Sequence, residues 1–340
     1  MDSKVMRMAD LVDAVVVGGG AAGLNGALML ARSRRSVVVI DAGRPRNAPA
    51  EGVHGLLARD GTPPLDLLAA GRDEVDRYGG RVVSGEVVRV SRTDDRFRVE
   101  LADDASYLAR RLLVTSGAVD ELPDIPGLRE RWGRDVIHCP YCHGWEVRDR
   151  AIGVIVTGPR AVHQALMFRQ LSPDVIVFGN GESLPEADIE QLVARGIKLV
   201  PGTVESVETS DDRLVGVRVS GVGLVRRQAL VVASRMAVPA RFLAGIGLHA
   251  VAHPSGAGEH LPADPFGRSD VPGVWLAGNV TDPMAQVGAA AAGGAMAGAQ
   301  INADLIAEET RVAVALLREP GGSAPGRGGL NPPESDREPD

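Results

Sequence analysis

The chain has 340 residues, 44% of them hydrophobic and 24% charged, with a net charge of −7. These proportions are ordinary for a soluble globular protein and exclude a collagenous, coiled-coil or wholly disordered chain. The acidic balance argues against nucleic acid or an anionic membrane as partner, and no apolar run approaches the ~20 residues needed to span a bilayer. At roughly 150 residues per domain, two domains are expected.

The start, Met1-Asp-Ser-Lys4, followed by Asp10 and Asp13, does not read as a signal peptide, so a cytoplasmic protein is expected. Residues 12–17 are apolar and β-branched, and glycines follow at once. Ala21 to Ala31 has helix-forming composition, and Val37 to Ile40 is a second buried strand ending at Asp41. This is strand, Gly turn, helix and strand in about 30 residues, a βαβ unit. A helix is expected over 65–78, and strands over 81–90, 96–101 and 110–115. The Pro-rich stretch Leu122-Pro-Asp-Ile-Pro-Gly127 marks a boundary. A second βαβ-like unit starts at 151–156, with a helix over 160–171 and a strand over 175–178. A strand over 273–278 precedes an Ala/Gly-rich helix over 285–307. Residues 313–340 are expected as a disordered tail, which from Arg318 onward holds five Gly and five Pro. The fold class is therefore α/β, with two Rossmann-like, doubly wound, three-layer domains.

Gly18-Gly-Gly20-Ala21-Ala22-Gly23 is a G-x-G-x-x-G turn. Its first Gly permits the tight turn, its second admits a pyrophosphate, and its third lets helix pack on strand. Asp41 ends the next strand, where a carboxylate can bind the ribose hydroxyls. Ala277-Gly278-Asn279-Val280, followed by Ala285-Gln286-Val287, opens the last helix after a strand. A helix N-terminus there supplies positive potential where a reduced flavin carries negative charge, which favours FAD over NAD at this site.

The only cysteines are Cys139 and Cys142. Two cysteines placed at random would fall three apart in roughly 0.6% of cases, so the C-x-x-C spacing points to a redox pair. One close pair is too few for a secreted disulfide framework. A zinc site of Cys139, Cys142, His138 and His143 is set aside, because six residues are too crowded for one tetrahedral shell. No metal is expected. His54, His163, His249, His253 and His260 read as solvated or packed residues. Tyr141 and Trp145 read equally as packing aromatics or as pocket walls, with Glu146 beside them.

Four features together resemble the low-molecular-weight thioredoxin reductases. They are the N-terminal glycine turn, Thr115-Ser116-Gly117, the mid-chain Cys139-Pro-Tyr-Cys142, and Ala277-Gly-Asn-Val with Ala285-Gln-Val. The resemblance covers about residues 10–310. It implies a discontinuous FAD domain of residues 1–119 and 240–312, with an inserted NAD(P)-like domain of 120–239 that carries the cysteines. It also implies a homodimer, and it extends the cofactor set to Ala42, Arg46 and Asn47. Gln286 is expected at the flavin pyrimidine edge, and Asn279 stands where the family usually has an Asp on the ribityl chain.

Two departures decide the expected chemistry. The second nucleotide loop reads Val156-Thr-Gly158-Pro-Arg-Ala161 where the reductases have G-x-G-x-x-A. Pro159 removes a backbone N–H from it, and Phe178-Gly-Asn-Gly-Glu182 offers no base to a 2′-phosphate. NAD(P)H is therefore a doubtful cofactor. Second, His143 follows Cys142 where the family usually has Asp. The string His138-Cys-Pro-Tyr-Cys-His-Gly-Trp-Glu146 is similar to the dithiol oxidases of the gliotoxin and holomycin type, which use FAD and O2.

By this resemblance Cys139 is the outer sulfur, Cys142 faces the flavin, and His143 is the acid/base, with His138 a further candidate. The first expectation is oxidation of a small dithiol to a disulfide by O2. The alternatives are a reductase acting on a thioredoxin-like protein with NAD(P)H or another reductant, and a flavoprotein redox sensor without turnover.

Overall fold

The computed structural model describes residues 11–318. In chain order the first strands are β1 (Leu11–Val17), β2 (Val37–Asp41), β3 (Arg81–Ser84), β4 (Val87–Thr93), β5 (Arg96–Leu101) and β6 (Ser106–Val114). Helices α1 (Ala21–Arg32) and α2 (Pro64–Arg77) lie between them. β7 (Val119–Glu121) and β8 (Val136–Ile137) lead to the short helix α3 (Pro140–His143). The middle of the chain then forms β9 (Ile152–Ile155), α4 (Ala161–Phe168), β10 (Val175–Phe178), α5 (Glu186–Ala194) and β11 (Lys198–Val200). β12 (Val204–Ser210), β13 (Arg213–Val219), β14 (Gly223–Arg226), β15 (Ala229–Val232) and β16 (Arg235–Ala237) follow. β17 (Val251–Ala252), β18 (Glu259–His260), β19 (Val274–Leu276) and α6 (Val287–Arg318) complete the order.

The first sheet runs β3-β2-β1-β6-β5-β4, and β19 also pairs with β6. β1 lies parallel between β2 and β6, with Val15 opposite both Val38 and Leu112. The far edge of β6 is shared: Ser106 to Ala109 pair antiparallel with β5, and Leu112 to Val114 pair parallel with β19. The last strand thus returns from the distant C-terminal segment to the first sheet. Alternation along β1 explains why both faces are covered. Ala14 and Val16 face helices α1, α2 and α6 through Leu30, Leu68 and Ile301. Val15 and Val17 face the opposite layer with Leu243, Leu248 and Leu261. A strand buried on both faces reads as a continuous apolar run, as this one does.

The second sheet runs β11-β10-β9-β15-β8 and is parallel at every pairing. Helices α4 and α5 cover one face through Phe168 and Leu192. The antiparallel sheet β12-β13-β14 covers the other through Val204, Val207 and Val217. Where the chain passes between the two sheets, β7 and β16 pair as an antiparallel ribbon. Each body is α/β with its sheet between two layers, the first sheet mixed through its antiparallel β4 and β5 and the second all parallel.

Helix α1 carries Gly23 and Gly26, and each interior Gly costs a helix about 1 kcal/mol relative to Ala. The packing against α6 offsets this cost. A methyl group at Gly294 would collide with the Ala22 carbonyl, and one at Gly298 would meet Gly26. The two helices approach backbone to backbone, which fixes the glycine turn that precedes α1 (Gly18 to Gly20).

The segment read as one strand over 81–90 is two. The chain turns at Gly85, where a side chain would strike Leu101, so β3 pairs with β2 and β4 with β5. The last helix runs to Arg318, so residues 313–318 are helical rather than disordered. Val312 to Leu317 are good helix formers, and the Pro/Gly composition begins only at Pro320. The rest of the expected tail lies outside the described residues.

Candidate active site

The glycine turn is built by collision avoidance. Gly18 has φ +105°, and a side chain there would strike the Thr115 carbonyl. A side chain at Gly23 would strike the carbonyl of Gly18. Thr115 Oγ1 donates to the carbonyls of Val17 and Gly18, tying the ends of β1 and β6 together. Gly20 has nothing within 4 Å of where its side chain would be, so open space faces the start of α1. Asp41 accepts from the N–H groups of Gly19 and Gly43 on Oδ1, and from Arg72 on Oδ2 at 3.0 Å.

The redox pair is closed as a Cys139–Cys142 disulfide, with Cα atoms 5.3 Å apart. Cys139 is the N-cap of α3, and its Sγ accepts from the N–H of Cys142 at 3.2 Å. Pro140 fixes the first helical position, where no N–H is needed. An N–H directed at sulfur stabilises a thiolate there.

The flanking histidines differ. Both ring nitrogens of His143 are buried without a hydrogen-bond partner among the described residues. Burial pushes its pKa below 6.5, nearby Glu146 acts to raise it, and His54 to lower it. Glu146 reaches His54 at 3.5 Å, and His54 reaches Asp60 at 3.3 Å. His138 is pushed down to about 4, first by burial and then by Arg46. It stacks on Trp132, and its Nε2 lies 3.4 Å from Arg46. Arg46 in turn grips Asp120 with two bonds of 2.6 and 2.8 Å, and Ser234 Oγ donates to the same carboxylate. The side-chain hydrogen bond and charge of Arg46 hold Asp120 below the usual carboxylate range against the opposing effect of burial.

One cavity of about 500 Å3 joins these parts. Cys139, Cys142, His138 and His143 line one side of it. Gly20, Ala21, Ala22, Thr115 and Gly117 line another, with Arg46 and Asn47. Gly278, Asn279, Ala285, Gln286 and Val287 close it from the start of α6.

Residues 12–295 match the family described as pyridine nucleotide-disulphide oxidoreductase. The chain belongs to that family. It is similar to "Thioredoxin reductase tcpT" of Claviceps purpurea, 32% identical over 89% of this chain and 97% of that protein. It is similar to "Thioredoxin reductase sirT" of Leptosphaeria maculans, at 29% over 86% of this chain and 94% of the other. Among solved structures, that of HlmI is 43% identical with a TM-score of 0.85, covering 90% of this chain and 96% of the other. The oxidoreductase from Agrobacterium tumefaciens is 32% identical with a TM-score of 0.81, covering 88% and 99%. The chain is thus a thioredoxin-reductase-like disulfide oxidoreductase, and the family implies flavin.

The residues present fit a flavin dinucleotide. The Gly18 to Gly23 turn leaves room only for backbone and ligand, and Ser116 Oγ beside it is buried without a partner. Such an orphaned hydroxyl fits a site that a ligand completes. Gly18, Gly23, Asp41, Ala42 and Ser116 do not line the cavity itself. Gly18 and Gly23 lie under the turn, and Asp41 and Ala42 stand at the end of β2. Asn279 spends its amide nitrogen on the carbonyls of Asp282 and Ala285, so it shapes the loop that presents Gln286.

The second nucleotide loop is a packed turn. Val156, where the family has Gly, is 3% exposed within the core of the second body. Asn180, in the stretch where a phosphate would need a base, donates to Val156 O and accepts from the N–H of Val204. The protein's own side chains thus pack the base of this turn, while the space beside Gly158 stays open.

Several expectations change. His163 is exposed, as expected of a solvated residue, and lines the cavity; His54, read as solvated or packed, is half-buried and lines it too. His54 lies 85 residues before Cys139, so no local spacing could reveal it. Tyr141 (72% exposed) and Trp145 (65% exposed) are not packing aromatics, and Tyr141 lines the cavity. Arg148 lies over the Trp145 ring instead. Asp120, Arg160 and Gln164 carry no motif and were missed; all three line the cavity. Among the described residues no helix is long and apolar enough to cross a membrane.

Proposed function

We propose that the chain is an FAD-dependent dithiol oxidase that closes the disulfide of a small molecule and passes the electrons to O2. The observation that carries this reading is the cavity that joins the Cys139–Cys142 disulfide to the dinucleotide cradle, together with a second nucleotide turn in which a buried Val156, bonded by Asn180, stands where the reductases have Gly. Residues 1–119 and 240–312 form the FAD domain in this reading, and 120–239 the inserted one. Family membership supports a homodimer, and the composition supports a cytoplasmic location.

The first substrate thiol releases its proton to solvent and attacks Cys139 Sγ as thiolate, the sulfur–sulfur bond breaks, and Cys142 leaves as thiolate. His143, neutral because it is buried, takes the proton of the second substrate thiol. That thiolate attacks the substrate sulfur of the mixed disulfide, and Cys139 leaves, stabilised by the N–H of Cys142. The substrate has lost two electrons and two protons, and the cysteine pair has gained the electrons. Glu146 favours the protonated ring formed in this step, and the ring gives that proton to solvent before the next turnover. FAD, when bound, supplies the two-electron acceptor for the reduced pair, and O2 then leaves as hydrogen peroxide. His138, pushed down to about 4, stays neutral and is held beside the redox pair by Arg46, which Asp120 anchors.

The alternative, reduction of a thioredoxin-like protein, draws on the exposed Tyr141 and Trp145 beside the redox pair, which suit a protein face. Oxygen uptake with dithiothreitol separates the two. The oxidase consumes O2 without any nicotinamide and forms one peroxide per disulfide. Uptake that starts only on adding NADPH or NADH would sink the oxidase reading.

A further inference from the structure

Arg160 is the N-cap residue of α4 and lines the cavity that holds the disulfide. Its Nη2 donates to the Ser234 carbonyl at 3.3 Å, and its Nη1 lies 3.4 Å from Met284 Sδ. No carboxylate pairs with it among the described residues. The other cavity arginine, Arg46, is fully engaged by Asp120. A guanidinium that is partly withdrawn from water with no counter-ion is unfavourable. Burial acts on its pKa with nothing to compensate.

A second group on the same helix face is unmatched. Gln164 sits one turn on from Arg160, and its N–H bonds to the Arg160 carbonyl at 3.0 Å. Its side chain is 7% exposed and also lines the cavity. The amide nitrogen donates to the His138 carbonyl at 2.9 Å, but the amide oxygen is buried without a partner. One wall of the cavity therefore offers an unpaired cation and an unpaired acceptor, one helical turn apart, beside the redox pair.

We infer that Arg160 is a specificity residue and that the dithiol carries an anionic group, a carboxylate, which pairs with its guanidinium. An N–H or O–H of the same substrate satisfies the Gln164 oxygen. This inference rests on the dithiol-oxidase reading and names the class of substrate that site takes.

Dihydrolipoate and dihydrolipoamide test it, because they share one dithiol and differ only in the charge of the tail. Their kcat/KM values are measured per bound flavin, with O2 as acceptor, for the wild type and Arg160→Gln. The wild type is expected to prefer the acid about tenfold, through KM, the usual scale of one charge-assisted pair. Arg160→Gln brings the ratio to within about twofold of one, and Arg160→Lys restores part of it. A ratio that is near one in the wild type overturns the inference alone, and so does a ratio that Arg160→Gln leaves unchanged. The latter includes equal slowing of both substrates, the result expected if Arg160 serves the flavin or the fold. No turnover of either dithiol by the wild type overturns the oxidase reading and this inference with it.

Discussion

Cys142→Ser is expected to lower dithiol oxidation by on the order of 10³-fold or more while leaving the flavin bound, because it removes a partner of a unit that works only as a pair. The serine hydroxyl cannot form the disulfide with Cys139, so the substrate thiolate meets no sulfur–sulfur bond to attack. The change is small in packing terms, since both cysteines are only part-buried at the cavity wall. Oxygen uptake gives the rate, and visible absorbance gives the flavin content. Turnover within tenfold of wild type would refute the role assigned to the pair. Loss of flavin would instead show that the substitution disturbs the cradle.

The second large effect belongs to His143. Replacing it with Gln is expected to slow turnover by about 10²- to 10⁴-fold, the usual contribution of a positioned base. The sign of its pH dependence follows from burial. The neutral ring is the active base, and burial lowers its pKa, so the acid limb of the wild-type kcat/KM lies at lower pH than an exposed imidazole would give. Glu146 acts to raise that pKa, so Glu146→Gln moves the acid limb to still lower pH. In His143→Gln the limb attributed to this ring disappears. A pH profile unchanged in both variants would assign the proton transfer elsewhere, with His138 and His54 the neighbouring candidates.

The residues proposed for these two roles were legible in the sequence because they are local. Cys139, Cys142 and His143 fall within five consecutive positions, and their chemistry depends on residue type and spacing. The glycine turn was legible for the same reason: strand, turn and helix are contiguous, and each glycine answers to a near neighbour in space, such as Gly18 against Thr115. The parallel sheets were legible because strands buried on both faces leave unbroken apolar runs. The sheet β12-β13-β14 was not, because register shifts break the two-residue alternation of its strands, as in Val204–Ser210, where the buried Val204 and Val207 fall three apart. The walls of the cavity were legible least of all. His54, Asp120, Arg160 and Gln164 come from segments far apart in the chain, and only tertiary packing brings them to one space. The departures from the reductase pattern told more than the matches. Val156 and Asn180 carry no chemistry, yet their packing at the second turn is what supports, in the proposed function, a donor other than a nicotinamide.

The central claim is that electrons enter from a dithiol at Cys139–Cys142 and not from a nicotinamide at the second turn. An anaerobic reductive titration of the purified yellow protein tests this most directly. A stoichiometric small dithiol should bleach the flavin within the turnover time, and admitting air should restore the colour with release of peroxide. NADPH and NADH, added separately at the same concentration, should leave the spectrum unchanged over that time. Rapid bleaching by either nucleotide would contradict the account.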